Sequence, residues 1–312
     1  MEHYVTLFDS LFLPQGLALH MSMQRHVGEY TLWILCVDDE VYEALIKFNL
    51  PNVQLLQLSK LETPELLAAK PTRSNGEYCW TLTPFAPRFV FEANEELSRV
   101  TYIDADIWFL KNPELIFKEF EVSGKDVLIT DHAYAPEYDQ SATSGQYCVQ
   151  FMTFTRLGGE VVRKWWEDSC VEWCFARFEP GRFGDQKYLD DWPTRFEEFV
   201  HVLTHESWTQ APWNATRFPY SQAIFYHFHG LRIASKNEID FGSAYCLPNS
   251  LIRNVYDPYI TDIASGIKEI INIGLTIRIQ TEKISNLKII KRILSRLYSQ
   301  IVRFHNLNYR KI

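Results

Sequence analysis

Two carboxylates separated by one small residue follow an apolar stretch of the chain. Arg99–Ile103 is rich in β-branched and aromatic residues, and Asp104-Ala105-Asp106 comes directly after it. Such a stretch is typical of a buried strand, and burying charge is costly unless something pairs it. Two acids at the end of a core strand therefore favour a hard divalent cation with oxygen ligands. An ion held mainly by two carboxylates keeps open positions that suit the oxygens of a diphosphate.

The same triplet has simpler interpretations. An Asp-x-Asp at a strand end also serves as a helix cap, a turn former or a surface ion pair. Short motifs have high false-positive rates, so the triplet alone leaves metal binding and these alternatives open.

Alternating strands and helices surround the triplet and must position it. Apolar stretches predict strands at His3–Phe8, Tyr30–Val37, Val53–Leu58, Asp126–Asp131, Tyr147–Thr155 and Ile224–Phe228, and helices at Leu11–His26, Glu40–Phe48, Pro84–Asn94 and Leu157–Phe178. This alternation favours a Rossmann-like α/β fold with a mostly parallel central sheet flanked by helices. Ligands in such sheets bind at the carboxyl ends of the strands, where Asp9, Asp104 and Asp106 are expected.

Composition limits the classes of protein that the chain can belong to. It has 312 residues, of which 46% are hydrophobic and 15% aromatic, so a large core is expected and disorder is not. A net charge of −8 argues against nucleic-acid binding. The charge is uneven: Lys268–Ile312 carries ten Lys/Arg and two Glu, a net of +8, which leaves −16 on the remainder. An acidic body with a basic tail indicates that the chain interacts with a binding partner.

The cysteines and the termini bear on location. None of the six cysteines forms a CxxC pair, which favours reduced thiols in a cytosolic protein over a zinc site. The first residues lack the basic and long apolar segments of a signal peptide, and no run of 18 apolar residues predicts a membrane span. A cytoplasmic location is therefore predicted.

The basic tail has a regular apolar pattern. Six apolar residues lie three or four positions apart on one face of a predicted helix, at Leu287, Ile290, Leu294, Leu297, Ile301 and Phe304. Basic residues flank this face, so the helix suits an anionic membrane surface, and a peripheral place on the inner face of the membrane is predicted. A short coiled coil, or a helix packed on the body, is the alternative. We divide the chain into residues 1–245, the catalytic domain, and 246–312, a helical C-terminal extension.

Taken in order, these features resemble a GT-A glycosyltransferase, closest to glycosyltransferase family eight, which contains glycogenin and bacterial lipopolysaccharide hexosyltransferases. The resemblance covers roughly residues 3–233. Tyr102–Asp106 matches the family's Tyr-Leu-Asp-x-Asp strand, and His227-Phe-His-Gly230 matches its His-x-x-Gly segment. The resemblance implies that Asp104, Asp106 and His227 bind Mn²⁺, with Mg²⁺ as the alternative, since imidazole beside carboxylates suits manganese. His229 is the alternative ligand or a phosphate contact.

The resemblance also implies a binding site for a nucleoside diphosphate sugar. Its contacts come from the first strand, the helix before Asp-x-Asp and the His-x-x-Gly segment: Thr6, Leu7, Phe8, Asp9, Arg88, Asp104, Ala105, Asp106, Gln150, His229, Gly230 and Arg232. Two positions depart from the family. Gln150 lies where the family has an Asn-Ala-Gly type of sequence and replaces its polar group, and Arg232 stands in for a lysine.

Three residues are candidates for catalysis. The family's Asp-Gln pair matches Asp185 and Gln186, which places Gln186 near the anomeric carbon, and Asp131 ends another strand. Retention of configuration is predicted, and inversion with Asp185 as the base is the alternative. Simpler roles stay open: a turn for Asp185 and Gln186, a loop cap for Asp131, a surface position for Arg88 and a core position for His227.

The predicted function is metal-dependent transfer of a hexose-type sugar from a nucleoside diphosphate sugar to a glycan or lipid-linked glycan, in lipopolysaccharide or polysaccharide biosynthesis. One alternative is an Asp-x-Asp phosphohydrolase, although those enzymes usually carry the motif on their first strand. A non-catalytic sugar-binding protein on the same fold is the other, since fold does not fix function. A homo-oligomer is left open.

Overall fold

The computed structural model describes residues 1–235, 238–242 and 244–279, and the backbone of Tyr309–Lys311. Its strands are β1 Glu2–Phe8, β2 Tyr30–Cys36, β3 Val53–Gln57, β4 Arg99–Ile103, β5 Ile107–Phe109, β6 Val127–Asp131, β7 Tyr147–Thr155, β8 Val200–Val202, β9 Thr209–Gln210, β10 Phe225–His227, β11 Arg232–Ser235, β12 Glu238–Asp240 and β13 Tyr309–Lys311. The predicted strands are all present, within one or two residues at their ends.

The central sheet has seven strands in the order β3-β2-β1-β4-β7-β6-β8. Its neighbours run parallel except at β7, which is antiparallel to both β4 and β6. The prediction of a mostly parallel sheet is confirmed. Because β7 runs in reverse, its first half, rather than its end, lies at the edge where β1 and β4 finish.

Two smaller sheets lie beside this edge. One has the order β5-β10-β9, and the other has the order β11-β12-β13. In the first, β10 pairs antiparallel with β5 and places His227 opposite Ile107. This pairing joins two parts of the chain that are about 120 residues apart and brings the His-x-x-Gly segment to the Asp-x-Asp turn.

Helices cover both faces of the central sheet. They are α1 Leu13–His26, α2 Asp39–Phe48, α3 Pro64–Ala69, α4 Asn75–Leu82, α5 Phe85–Ala93, α6 Glu114–Ser123, α7 Ser141–Ser144, α8 Gly158–Glu172, α9 Trp192–Arg195, α10 Asn249–Leu251 and α11 Asp257–Asn272, with a π-helical turn at Ile252–Tyr256 between the last two. One apolar core lies between the sheet and α1, α6 and α11, and the other between the sheet and α5 and α8. Two covered faces are what a mostly parallel sheet requires.

Helix α8 ends earlier than predicted. The sequence pattern extends to Phe178, but the helix stops at Glu172 and Trp173 takes an extended conformation. The residues beyond it use their backbone in contacts with other segments: the carbonyl of Phe175 accepts from the amide of Gly184 (3.0 Å), and the amide of Ala176 donates to Glu77 (2.7 Å). These contacts replace helical hydrogen bonds and hold the loop that leads to Asp185.

Helix α11 packs on the body of the protein. Its Asp262 accepts a hydrogen bond from the indole of Trp108 on β5 (2.7 Å) and forms an ion pair with Arg25 on α1. The division of the chain at residue 245 stays a prediction. The predicted basic helix from residue 284 lies outside the described residues. Among the helices that are described, none has the length and apolar character needed to cross a bilayer.

Candidate functional site

The Asp-x-Asp turn and the His-x-x-Gly segment meet at the carboxyl edge of the sheet. The turn is closed by a hydrogen bond from the amide of Ile107 to the carbonyl of Asp104 (3.2 Å). The amide of Phe228 then donates to the carbonyl of Asp106 (2.9 Å), which continues the pairing of β5 and β10. Backbone pairing therefore fixes His227 beside the two aspartates.

Three side chains converge here and could hold a metal ion. His227 Nε2 lies 3.2 Å from Asp106 Oδ1 and 3.7 Å from Asp104 Oδ2, and one potential ligand atom from each residue lies within 4.8 Å of the others. His227 is buried, whereas the side chains of Asp104 and Asp106 keep 22% and 18% of their surface exposed. The group, which we call the ligand trio, is held by the fold and reaches solvent on one side.

Neighbouring side chains orient the ligand trio. The hydroxyl of Tyr102 donates to Asp104 Oδ1 (2.8 Å), and Gln150 Oε1 lies 2.9 Å from His227 Nδ1. Metal ligands in proteins are commonly held by such partners, which fix their orientation and, for histidine, the position of the proton. His227 therefore turns Nε2 toward the carboxylates.

The charges of the ligand trio are strongly coupled. Burial acts to lower the pKa of His227, but the charge of Asp106 and its hydrogen bond outweigh burial and raise that pKa well above its usual value. Burial acts to raise the pKa of Asp106, but His227 outweighs it and lowers that pKa. Burial raises the pKa of Asp104. A divalent cation would compete with the imidazole proton for the same place.

Asp185 adds a third carboxylate at this end of the molecule. It is only 3% exposed, and its Oδ2 has no hydrogen-bond partner among the described residues. Burial and then the nearby charge of Asp104 raise the pKa of Asp185 to about 7. The preceding Gly184 has a φ of +54° and faces the indole of Trp80, 3.4 Å from where a Cβ would lie. A larger residue at this position would be strained. Gly184 therefore sets the turn that brings Asp185 to the end of the molecule where Asp104 lies.

The predicted donor contacts of the first strand also reach this edge. Thr6, Leu7 and Phe8 end β1, which runs parallel to β4, and all three are buried. Thr6 Oγ1 has no partner among the described residues. Asp9 follows, and its carboxylate accepts from the amide of Leu11 (3.0 Å), so it shapes the turn into α1. Burial raises the pKa of Asp9.

The residues after His227 lie on the exposed side of the site. His229 is exposed, and its ring lies 5.5 Å from the ring of Trp213. It lies outside the group of three whose ligand atoms converge, so the geometry favours His227 as the metal ligand. Gly230 has a φ of +82°, which suits glycine, and Arg232 follows on β11, where its charge helps to lower the pKa of Asp106.

Gln186 joins two loops beside the site. Its side-chain amide donates to the carbonyl of Ser144 (2.7 Å). The interaction ties the loop after Gly184 to the segment before β7, which begins at Tyr147. Its predicted place near the anomeric carbon stays a prediction.

Two predicted site residues make other contacts. Arg88 on α5 forms ion pairs with Glu92 of the same helix (2.7 Å) and with Glu167 of α8 (3.1 Å). Asp131 accepts hydrogen bonds from the amide of Ala133 (2.6 Å) and the side chain of Gln146 (3.0 Å), as the loop-cap alternative expects. Their contacts with a donor or a sugar stay predictions.

Two residues of this region had no predicted role in metal binding. Tyr102 stands two positions before Asp104. Because side chains alternate between the two faces of a strand, this spacing places both residues on the same side, and the sequence alone contains that signal. His132 is buried, stacks on Tyr134 at 4.7 Å and contacts the ring of Trp213 at 5.0 Å. Burial lowers the pKa of His132 to about 3, so it is neutral at pH 7. No signal in the sequence distinguished it from a loop residue.

Solved structures similar to this chain include glycosyltransferases. The galactosyltransferase LgtC in complex with donor and acceptor sugar analogs aligns with a TM-score of 0.53 and 11% identity, over 84% of this chain and 95% of that one. GlyE of Streptococcus pneumoniae TIGR4 aligns with a TM-score of 0.50 and 12% identity, over 90% of this chain and 67% of that one. At such identities the likeness shows the fold alone. The chain has the GT-A fold.

Sequence comparison identifies closer relatives. No family model matches the chain. The protein YfnF of Bacillus subtilis (strain 168) is 32% identical over 254 residues, which cover 76% of this chain and 84% of YfnF. YfnD of the same strain is 30% identical over 288 residues, which cover 86% of this chain and 90% of YfnD. Both relatives are described as uncharacterized. The chain belongs to the family of YfnD and YfnF.

Proposed function

We propose that the protein is a metal-dependent glycosyltransferase that moves a hexose-type sugar from a nucleoside diphosphate sugar to a glycan or lipid-linked glycan. The ligand trio at the carboxyl edge of a GT-A fold carries the proposal. It combines two carboxylates and an imidazole, a donor set that suits Mn²⁺, and its solvent-facing side leaves room for further ligands. The donor and acceptor sugar analogs bound to LgtC agree with this chemistry.

The bond between the anomeric carbon and the diphosphate breaks in this reaction, and negative charge develops on the leaving group. A bound Mn²⁺ supplies Lewis-acid stabilisation of that charge. Asp104, Asp106 and His227 would hold the ion, and Arg232 on β11 would add a fixed positive charge on the exposed side. Thr6 to Asp9, at the end of β1, contact the nucleotide.

The stereochemical course depends on the residues around the anomeric carbon. We favour retention, in which the acceptor hydroxyl attacks from the side of the leaving group and a diphosphate oxygen takes its proton. Gln186 then lies beside the sugar. Inversion would need a carboxylate base on the opposite side of the sugar, and Asp185, with a pKa near 7, is the candidate for it.

The first experiment measures nucleotide release. The purified protein is incubated with a panel of nucleoside diphosphate sugars while Mn²⁺ is titrated, and Asp106→Asn is assayed in parallel. We expect release with at least one donor, dependence on Mn²⁺, and a decrease of about 1000-fold in the variant, because loss of several kcal/mol of transition-state stabilisation corresponds to that factor. Equal rates for parent and variant would exclude the metal role. Binding of metal and nucleotide without turnover would indicate a sugar-binding protein.

We also propose that the basic segment from residue 284 binds an anionic membrane surface, where a lipid-linked acceptor would be found. The charges of Lys291, Arg292 and Arg296 support this proposal. The test replaces these three residues by glutamate and measures flotation with anionic and neutral liposomes. The parent is expected to float with anionic liposomes only, and the triple variant with neither. Unchanged flotation of the variant would exclude the membrane role of these charges.

A further inference from the structure

Gln150 contacts two members of the ligand trio from within the core. It lies on β7 and is completely buried. Its backbone carbonyl accepts a hydrogen bond from the amide of Asp104 (3.1 Å), and its side-chain Oε1 lies 2.9 Å from His227 Nδ1. One residue therefore joins the Asp-x-Asp turn to the His-x-x-Gly segment, whose sequence positions are far apart.

The hydrogen bond to Nδ1 has a chemical consequence for the other ring nitrogen. An amide oxygen accepts a hydrogen bond and cannot donate one, so it keeps a proton on His227 Nδ1. A neutral imidazole carries only one proton, and the bond made by one nitrogen decides the state of the other. His227 Nε2, which faces Asp104 and Asp106, is then the nitrogen that offers its lone pair to a cation.

The other neighbours of His227 do not replace this bond. The ring of Trp213 packs at 90° to the imidazole, 5.4 Å away, but the indole N–H donates to the carbonyl of His132 (2.8 Å). The thiol of Cys148 also lies next to His227, and thiols are weak hydrogen-bond partners. Packing confines the ring, whereas Gln150 determines which of its two nitrogens points at the carboxylates.

We propose that Gln150 is a positioning residue that fixes the proton and ring orientation of His227 and thereby sets the metal affinity of the site. The inference rests on the metal centre of the proposed function and assigns to it a side chain that acts through His227. Partners of this kind affect metal affinity by about 10- to 100-fold.

Gln150→Met is the informative substitution. It keeps the length and volume of the side chain and removes its hydrogen-bonding groups. The Nε2 of Gln150 is buried and has no partner among the described residues, so this half of the amide loses nothing in the variant. Gln210→Met is the matched control, because Gln210 is also completely buried but donates to the carbonyls of Ser207 and Pro219, both at 3.0 Å.

The experiment titrates Mn²⁺ alone into metal-free protein and measures free Mn²⁺ by electron paramagnetic resonance. We expect Gln150→Met to bind Mn²⁺ about 10- to 100-fold more weakly than the parent and Gln210→Met to bind like the parent. Spin-echo modulation from a coordinated ¹⁴N is expected in the parent and in Gln210→Met and is expected to weaken in Gln150→Met. Gln150→Glu keeps an acceptor for Nδ1 and is expected to restore both the affinity and the ¹⁴N signal.

Two results would overturn the inference. Parent-like affinity and an undiminished ¹⁴N signal in Gln150→Met would exclude the positioning role and leave the metal centre intact. Absence of Mn²⁺ binding by the parent, with no difference from His227→Ala, would exclude the metal centre and the inference with it. If Gln150→Met does not fold, Gln150→Asn carries the test, because its shorter side chain cannot reach Nδ1 and is expected to weaken binding to a similar degree.

Discussion

Two regions of the molecule bury several charged side chains, and they differ in how those charges are balanced. Between α5 and α8, Arg163 is 1% exposed and contacts Glu167 (2.5 Å) and Glu160 (2.6 Å), and Arg88 also pairs with Glu167. The guanidinium of Arg163 donates to the carbonyl of Pro84 as well (3.1 Å). In this helix cluster, the buried cation of Arg163 and the buried anion of Glu167 neutralise each other, while Arg88 and Glu160 stay partly exposed.

At the carboxyl edge of the sheet, the acids outnumber the bases that are packed among them. Asp104 and Asp106 lie beside one imidazole, that of His227. Asp185 is near enough to Asp104 for that charge to raise its pKa, and it retains an oxygen without a partner among the described residues. Buried charge is stable only when it is paired. The helix cluster is therefore balanced by its own side chains, whereas the ligand trio has two carboxylates for one imidazole and could take a cation.

The largest effect is expected from breaking the balance of the helix cluster. Arg163→Met leaves the carboxylate of Glu167 buried with a weaker set of partners, which should lower the free energy of unfolding by about 3–5 kcal/mol. Urea unfolding of the parent and the variant at pH 7 measures this decrease.

The double variant Arg163→Met/Glu167→Gln is the control for this prediction. Removal of the second charge should recover much of the lost stability, because a buried carboxylate that keeps only its weaker partners Arg88 and Lys164 is then absent. Mn²⁺ affinity should be the same in the folded single variant and in the parent. A single variant as stable as the parent would show that the cluster does not depend on its charge balance.

A second effect is expected at Asp185 and depends on pH. Its pKa of about 7 in the folded protein lies above the value of an unfolded aspartate, so the folded state binds the proton more tightly. Stability should therefore fall as pH rises from about 4 to about 7. The Asp185→Asn substitution removes this loss of stability. In metal-free buffer at pH 8, the free energy of unfolding of the variant should exceed that of the parent by at most about 4 kcal/mol.

The same comparison at pH 4 is the control. There Asp185 is protonated in the folded state and about half protonated in the unfolded chain, so the advantage of the Asp185→Asn variant should shrink. Urea unfolding curves at the two pH values measure the difference. An advantage that is equal at both pH values would mean that the titration of Asp185 does not cause it.

A third effect is expected from supplying the cation. A ligand that binds only the folded state at 100 times its Kd stabilises it by about 2.7 kcal/mol, which corresponds to a rise in Tm of roughly 5 °C for a chain of this size. Mn²⁺ should produce this rise in the parent, and Asp106→Asn should abolish it. An equal rise in the variant would place the binding of Mn²⁺ elsewhere.

The sequence predicted the elements of the fold better than their pairing. Short apolar runs located six of the seven strands of the central sheet, and only β8 at Val200–Val202 was not predicted. These runs did not show that β7 runs antiparallel, since the direction of a strand depends on neighbours that are distant in the chain. The loop after Glu172 was predicted as helix, because its apolar residues fit the period and its hydrogen bonds to Glu77 and Gly184 leave no local signal.

The site was predictable where a motif is continuous in sequence. Asp104 and Asp106 followed from the type and spacing of the residues. His227 entered through a family resemblance, because the pairing of β5 with β10 is not visible from local sequence. For Arg88, the sequence shows a basic residue on a helix, whereas its pairing with Glu167, 79 positions away, requires the folded structure.

The pairing of β5 with β10 also determines when a cation can bind during folding. Asp106 and His227 are separated by a long section of chain that contains β6, β7 and β8, and closing such a loop has an entropic cost that distant contacts must offset. A chain emerging from the ribosome cannot assemble the ligand trio until β10 has been synthesised. Acquisition of Mn²⁺ affinity would therefore report a late stage, after all seven strands of the central sheet have been synthesised.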